Sequence, residues 1–469
     1  MEGIVGLSQA QELSGGKKFL TNLKQFLWYL HHLSDEVKSF AFSVVDSSGE
    51  RIESRSIENS SHLSKILDSS FVFPPRSPLE GIGCLSGVDQ PELFVQDSHL
   101  GPFSVAFSGL IRNEDFLAGE LKFQGAIFEH NCSDAEIVGA IIAREKSFVN
   151  GLKKAMEIIE GDFVVLILTP TRIYATRDLS GGWELLLGRS KEDQTLVLSM
   201  DNCAFESLGF ETVRGLRPGE ICFLAGGNFG TLHLKEGKEK VCSFLPIYTR
   251  FPSGSFYGKP VDVIREEAGA FLAREDIKKG LQFDLVTCVP DSGRSAFLGY
   301  CNEWFNLARM KEEKFPQFPR LTELQFKYGY GGMAKSFTPL GPQERELRSI
   351  IKLLSSSRDI RGKRIVLIDD SIVRGRQLRR ILVLLAEAGV IAVHFRISFP
   401  MIFHPCTKGK ITKRGELLTT RYRTEEKING WLRQAVPGVE TDVSFNEVPC
   451  LVRAIGLPEE QLCLDCVKK

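Results

Sequence analysis

In the stretch "RIVLIDDSIVRGRQ" an apolar run meets two adjacent carboxylates, Asp369 and Asp370, then a loop of small residues holding Gly375, then a helix-forming segment. Paired acids at such a junction accept hydrogen bonds from sugar hydroxyls or face a magnesium ion, while loop amides and a helix N-terminus hold a phosphate. The plainer reading is a structural strand-turn-helix whose acids only cap the helix. A second stretch, "VTCVPDSGRSAFLGY", repeats the arrangement with Pro290, Asp291, Ser292, Gly293 and Arg294. There a glycine lets backbone approach a diphosphate, and an arginine offers a fork-shaped donor. Two such loops at adjacent strand ends suit a ligand with phosphate at both ends, and phosphoribosyl pyrophosphate is one.

Such loops must be held at the C-terminal ends of parallel strands, where open α/β sheets bind ligands. The later half of the chain supplies the alternation this needs: "DLVTCVP" then "RSAFLGYCNEWF", "RIVLIDD" then "QLRRILVLLAEAG", then "VIAVHFRIS". It predicts βαβ units on a mainly parallel sheet. Leu378, Ile381, Leu382 and Leu385 fall on one helix face, and Gly389 is placed to end that helix. Residues 1–240 read differently, as short β-rich runs such as "SFAFSVVDSS", "PFSVAFSG", "DFVVLILT", "RIYATRD" and "GEICFLAGG". One long helix, "SDAEIVGAIIAREKSFVNGLKKAMEII", interrupts them, with Ser133 or Asp134 as its N-cap. The prediction is an α+β domain over 1–240 and an α/β domain over 241–469.

The chain has 469 residues, 59 basic and 59 acidic, so no net charge draws it to nucleic acid or to an anionic membrane. No stretch reaches the roughly 18 unbroken apolar residues of a membrane span. No basic signal-peptide region precedes "GIVGL", and the expected location is cytoplasmic. Eleven cysteines in so long a chain predict reduced thiols or metal ligands rather than a disulfide framework. His130 and His394, lacking identified partners, and Cys203 and Cys288, in apolar runs, read as structural.

Taken in order, "GIVGL", "SDAE", "RDLSGGWELLLGR", "RGLRPGEI", "PDSGRSAFLGY", "VLIDDSIVRG", "HPCTKG" and "AIGLPEEQLCLDC" resemble the glutamine phosphoribosylpyrophosphate amidotransferase family over nearly the whole chain. The resemblance implies an N-terminal-nucleophile glutaminase domain, an αββα sandwich, followed by a type I phosphoribosyltransferase domain. It further implies that ammonia from the first would attack C1 of the ribose in the second and expel pyrophosphate. It assigns Asp369 and Asp370 to the ribose hydroxyls, and Ser371, Arg374 and Gly375 to the 5'-phosphate. Asp291, Ser292, Gly293 and Arg294 fall to the pyrophosphate, and Ser292 with the two aspartates to magnesium.

The first domain departs from the family pattern where its chemistry lies. Glu2 precedes "GIVGL" where the family has its nucleophilic cysteine, and a carboxylate cannot form the thioester of amide cleavage. Ser86 in "GIGCLSGVD" stands where an arginine would clamp the glutamine carboxylate, and Ser108 with Gly109 where an Asn-Gly forms the oxyanion site. Asp134 alone matches, at the position that holds the substrate amine. The expectation is a glutaminase fold without glutaminase activity. In the second domain Arg376 and Gln377 replace two threonines of the phosphate loop, and "KYGYGGMAKSF" keeps only Lys327, Tyr330, Gly332 and Phe337 of the closing lid.

Part of the family carries a [4Fe-4S] cluster on four cysteines, and the resemblance places those at Cys242, Cys406, Cys463 and Cys466. Zinc on the same thiolates stays open as the other assignment. Two functional readings follow. One is a phosphoribosyltransferase that uses ammonia or another amine; the other is a catalytically silent paralogue that senses a ligand. Expected partners are phosphoribosyl pyrophosphate, purine nucleotides as inhibitors, and a second copy of the chain or an active paralogue.

Overall fold

Every residue of the strand Phe163–Thr169 is buried, because apolar side chains leave it on both faces. Phe163, Val165 and Ile167 enter one apolar cluster, whereas Val164, Leu166 and Leu168 enter another, as the two-residue period of a strand requires. The computed structural model describes residues 3–9, 22–23, 25–26, 39–45, 52–58, 80–86, 92–129, 132–310, 320–321, 325–326, 353–354, 360–406 and 414–468. Two compact units divide the chain, Met1–Cys242 and Ser243–Lys469.

The first unit is built on two antiparallel sheets. One runs Phe210–Gly215, Leu186–Ser190, Leu196–Ser199, Gly3–Ser8, Glu80–Ser86, Ser39–Val45, Ile52–Glu58 across its width. The other runs Asn228–Leu234, Glu220–Ala225, Arg172–Arg177, Phe163–Thr169, Phe103–Gly109, Leu93–Gln96. Ile4, Ile82 and Cys84 of the first meet Ala106, Leu166 and Ile173 of the second, so the sheets face each other across one core. Helices Glu114–Phe123, Asp134–Ile142 and Phe148–Ile158 cover the far face of the second sheet. Leu23 and Phe26 pack with Val5, Leu7 and Phe42 on the far face of the first. These layers are the αββα sandwich that the sequence predicts.

The single long helix predicted over "SDAEIVGAIIAREKSFVNGLKKAMEII" is two helices. Ser133 caps the first in a reciprocal capping box with Glu136. Ser147 then accepts the amide of Asn150 and starts a second. A serine that offers the backbone an alternative partner stops one helix as readily as it begins another. Gly151 lets the two pack closely, since a Cβ there would lie 2.8 Å from Ile142 Cα.

In the second unit the strands Arg320–Leu321, Leu285–Cys288, Arg364–Asp369, Ala392–Ile397 and Glu440–Phe445 form one parallel sheet in that order. Leu378, Ile381, Leu382 and Leu385 of helix Arg376–Glu387 pack on one face with Leu367, Val393 and Phe395. Leu272, Ala273, Ala296 and Tyr300, from helices Val261–Lys279 and Arg294–Met310, pack on the other with Val286, Val366 and Ile368. Those two helices cross at glycines: a Cβ on Gly269 would lie 1.8 Å from Ala296 O, and one on Gly299 would lie 1.9 Å from Glu266 O. Gly389, at φ +87°, closes helix Arg376–Glu387 as predicted. Cys203 and Cys288 are buried in apolar clusters, and His394 is buried with its Nδ1 on Asp442. Among the described residues, no helix is long and apolar enough to cross a membrane.

Candidate active site

Strands Leu285–Cys288 and Arg364–Asp369 are hydrogen-bonded neighbours, with Cys288 opposite Ile368, so the loops that follow them emerge side by side. Both singled-out stretches therefore share one edge of the parallel sheet. They are joined there by a side chain. Ser292 Oγ donates to Asp370 Oδ1 at 2.6 Å, and Ser371 Oγ donates to Asp370 Oδ2 at 2.6 Å. One hydroxyl comes from each loop, and the carboxylate between them is buried.

Asp369 is buried beside it, and its Oδ1 accepts the amide of Asp370 at 2.9 Å. The backbone of this pair is pinned from the next strand. Ser398 and Phe399 amides donate to the carbonyls of Asp369 and Asp370 at 3.0 and 2.8 Å, and Ser398 Oγ reaches both carbonyls. Sequence reading did not single out Ser398; its only signal is that it follows "AVHFRI", a strand of the same sheet.

Gly293 packs against main chain, since a Cβ there would lie 2.8 Å from Val289 O and 2.9 Å from Ile368 O. Asp291 and Arg294 are exposed and pair with each other at 3.4 Å across the start of helix Arg294–Met310. On the other loop, Gly375 takes φ +74° at the N-cap of helix Arg376–Glu387, with Leu418 and Trp431 directly beneath it. A side chain would be strained there by the backbone angle and crowded by both neighbours.

That helix has no side-chain cap and no acid in its first turn, but begins with Arg376 and carries Arg379 and Arg380. Three cations at a positive helix end oppose the helix dipole and suit an anion at the loop. Arg374, expected to meet the phosphate, has its Nε and Nη2 on Glu416 Oε2 at 3.2 and 2.6 Å. Glu416 carries no motif and lies in a polar segment, so nothing in the sequence marked it.

In the first unit the positions assigned to glutamine chemistry are partly in view. Ser86 ends its strand next to Leu85, which pairs with Gly3 at the start of the neighbouring strand. Ser108 is buried opposite Val164, and Gly109 at φ +148° sits where a Cβ would meet Asp162 O at 2.3 Å. Asp134 is buried at the first position of its helix. Glu2, His130 and the lid residues Lys327, Tyr330, Gly332 and Phe337 lie outside the described residues.

Among the four expected cluster cysteines, three share the second unit. Ser243 Oγ donates to Cys463 O at 2.8 Å, while Phe403 and His404 amides, three and two residues before Cys406, donate to Cys466 O. Burial, then the nearby thiols of Cys406 and Cys463, push the Cys466 thiol up to about 12, so it ionises at neutral pH only opposite a cation. Cys242 immediately precedes Ser243. Among the described residues, no three or more His, Cys, Asp or Glu side chains are grouped to hold a metal ion.

A family model described as a glutamine amidotransferase domain matches residues 85–206. Among curated relatives, the amidophosphoribosyltransferase of Archaeoglobus fulgidus is 30% identical over 347 residues, covering 73% of this chain and 71% of that one. That of Bacillus subtilis is 30% identical over 413 residues, covering 86% and 80%. This chain belongs to the amidophosphoribosyltransferase family. The fold agrees over the whole length. The glutamine phosphoribosylpyrophosphate amidotransferase of B. subtilis, solved with ADP and GMP, superposes with a TM-score of 0.81 at 25% identity, over 99% of this chain and 96% of that one. A second solved structure, described as the allosteric regulatory enzyme of purine biosynthesis, gives a TM-score of 0.80 at 25% identity. The resemblance read from the motifs and the fold class predicted with it are thus borne out. The amidophosphoribosyltransferase fold carries Asp369, Asp370 and both flanking loops at the edge where the sequence put them.

Proposed function

We propose that this protein binds phosphoribosyl pyrophosphate with magnesium at the Asp369–Asp370 edge and transfers its phosphoribosyl group to free ammonia or another amine, within purine nucleotide synthesis. The observation carrying this reading is Asp370, whose two oxygens take hydroxyls from the two phosphate-type loops. Buried carboxylates fixed in this way present their remaining lone pairs to ribose hydroxyls. Ser371, Arg374, Gly375 and the following helix end would seat the 5'-phosphate; Asp291, Ser292, Gly293 and Arg294 would line the diphosphate. A hard cation on Ser292, Asp369 and Asp370 would neutralise the departing diphosphate. As the C1–O bond breaks, its electron pair leaves with pyrophosphate. The nitrogen lone pair forms the new bond to C1, and a proton passes from nitrogen to solvent. Purine nucleotides are expected to compete at the same edge.

The first unit has no part in generating ammonia in this scheme, because Glu2, Ser86 and Ser108 stand where nucleophile, carboxylate clamp and oxyanion donor would be needed. The other reading, a silent ligand-sensing paralogue, is favoured by Arg376 and Gln377 in place of two hydroxyls. Pyrophosphate release decides between them. The expected result is release with ammonia, none with glutamine, and loss of at least a hundredfold in Asp370→Asn, in the range of removing one transition-state donor. Saturable phosphoribosyl pyrophosphate binding without release would establish the silent paralogue.

Cys242, Cys406, Cys463 and Cys466 are proposed to hold a [4Fe-4S] cluster, whose all-sulfur donor set they match, with zinc as the competing occupant. Protein purified without oxygen is expected to contain about four irons and four sulfides per chain. Zinc without sulfide would assign the site to zinc.

A further inference from the structure

Glu416 meets Arg374 from a segment that the motifs leave unmentioned. The short helical turn Arg414–Glu416 leads into helix Leu418–Arg421, and this segment braces the phosphate loop at three successive residues. The amide of Leu418 donates to Val373 O at 2.8 Å. Glu416 Oε2 takes the Nε and Nη2 edge of Arg374 at 3.2 and 2.6 Å. The side chain of Leu418 lies under Gly375, where a Cβ would approach it to 3.0 Å. The brace is itself anchored: Thr419 Oγ1 donates to Ile402 O, and Thr420 Oγ1 donates to Arg414 O at 2.7 Å.

We infer that Glu416 is a positioning residue for the 5'-phosphate seat. It fixes the guanidinium plane of Arg374, so that this side chain meets the anion without first losing its rotamer freedom. The inference rests on the reading of residues 371–375 as that seat. An arginine has a long, rotamer-rich side chain, and ordering it only when ligand arrives weakens binding. A carboxylate that already holds one edge removes that loss. The pair is only partly solvent-exposed, 16% for Arg374 and 38% for Glu416, so it is not a freely screened surface contact. This matters more here than in a loop with two hydroxyl donors, because Arg376 and Gln377 stand at those positions.

The opposite effect is also physically defined. If Glu416 only competed with phosphate for Arg374, neutralising it would tighten binding.

The test is calorimetric titration of wild-type protein, Glu416→Gln and Glu416→Asp with ribose 5-phosphate, phosphoribosyl pyrophosphate and inorganic pyrophosphate, all with magnesium. Glu416→Gln is expected to weaken both sugar phosphates by roughly three- to tenfold. Its affinity for inorganic pyrophosphate, which belongs to the Asp291–Arg294 loop, should be unchanged. Glu416→Asp, which keeps the charge on a shorter arm, is expected to recover part of the loss. Equal weakening of all three ligands would mean general damage to the fold and would overturn the inference. Unchanged or tighter sugar-phosphate binding in Glu416→Gln would overturn it as well, in favour of simple competition in the second case. If wild-type protein bound inorganic pyrophosphate but neither sugar phosphate, the reading of the 371–375 seat would fall and the inference with it.

Discussion

Asp276→Asn should lower the stability of the second unit by about 3 kcal/mol, the scale of breaking a buried charge pair. Arg396 comes from the strand Ala392–Ile397 and its side chain is 2% exposed. Its Nε meets Asp276 Oδ1 and Oδ2 at 2.8 and 2.6 Å, and its Nη1 meets Asp442 Oδ2 at 2.7 Å. Tyr300 OH donates to Asp276 Oδ2 at 2.8 Å, and burial, then the Asp276 charge, raise that phenol well above its ordinary range. Burial alone would disfavour the guanidinium charge; Asp276 and then Asp442 more than offset it and raise Arg396 above its usual value.

One carboxylate thus ties both helices on that face, Val261–Lys279 and Arg294–Met310, to a central strand. Removing its charge leaves Arg396 buried with Asp442 as its remaining acid among the described residues. A control separates orphaned charge from lost packing. Asp276→Leu with Arg396→Met replaces the buried ions by apolar groups, and exchanges of that kind are often neutral. Urea denaturation at neutral pH should therefore place the double variant nearer to wild type than either single one. A double variant as unstable as the sum of the singles would mean that the two side chains are not coupled and that no orphaned charge lies behind the single losses.

Much of this architecture is legible in the sequence because its strands are covered on both faces. Runs such as "DFVVLILT" and "RIVLID" have no polar side, and such runs read as interior strands. The two glycine loops are equally legible, since Gly293 and Gly375 are required by close backbone approach and by a positive φ, and the acids adjoin them. What escapes is whatever depends on partners far apart in the chain. Ser398 supports Asp369 and Asp370 from 29 and 28 residues away, Glu416 holds Arg374 from 42, and Arg396 meets Asp276 from 120. No local pattern announces such pairings. The broken helix at Ser147 fails for another reason: its flanks are both good helix formers, and only the capping competition reveals the stop.

In the first unit, the largest pH effect is expected at Glu80. This carboxyl starts the strand Glu80–Ser86, and its Oε1 accepts Ser8 Oγ at 3.0 Å and the Gly226 amide at 2.7 Å. Gly227 in turn donates to Ser8 Oγ at 3.2 Å, so the acid closes a small network between a strand end and a glycine turn. Among the described residues, Glu80 Oε2 is buried without a hydrogen-bond partner. Burial pushes the group up to about 8, against the smaller opposing effect of its two hydrogen bonds. The folded chain therefore keeps this proton while the unfolded chain releases it at its ordinary value of 4.5. Between those two values the folded state binds more protons, so stability falls as pH rises from about 4.5 to 8, and is flat beyond. The size of the shift puts the total loss at about 3–5 kcal/mol. Glu80→Gln keeps the acceptor oxygen for Ser8 and Gly226 but cannot ionise. It should match wild type near pH 5 and exceed it progressively toward pH 8, in denaturation curves taken at half-unit steps. Parallel curves for the two proteins across that range would show that Glu80 reaches solvent when charged, and that the network does not hold it in its buried, protonated form.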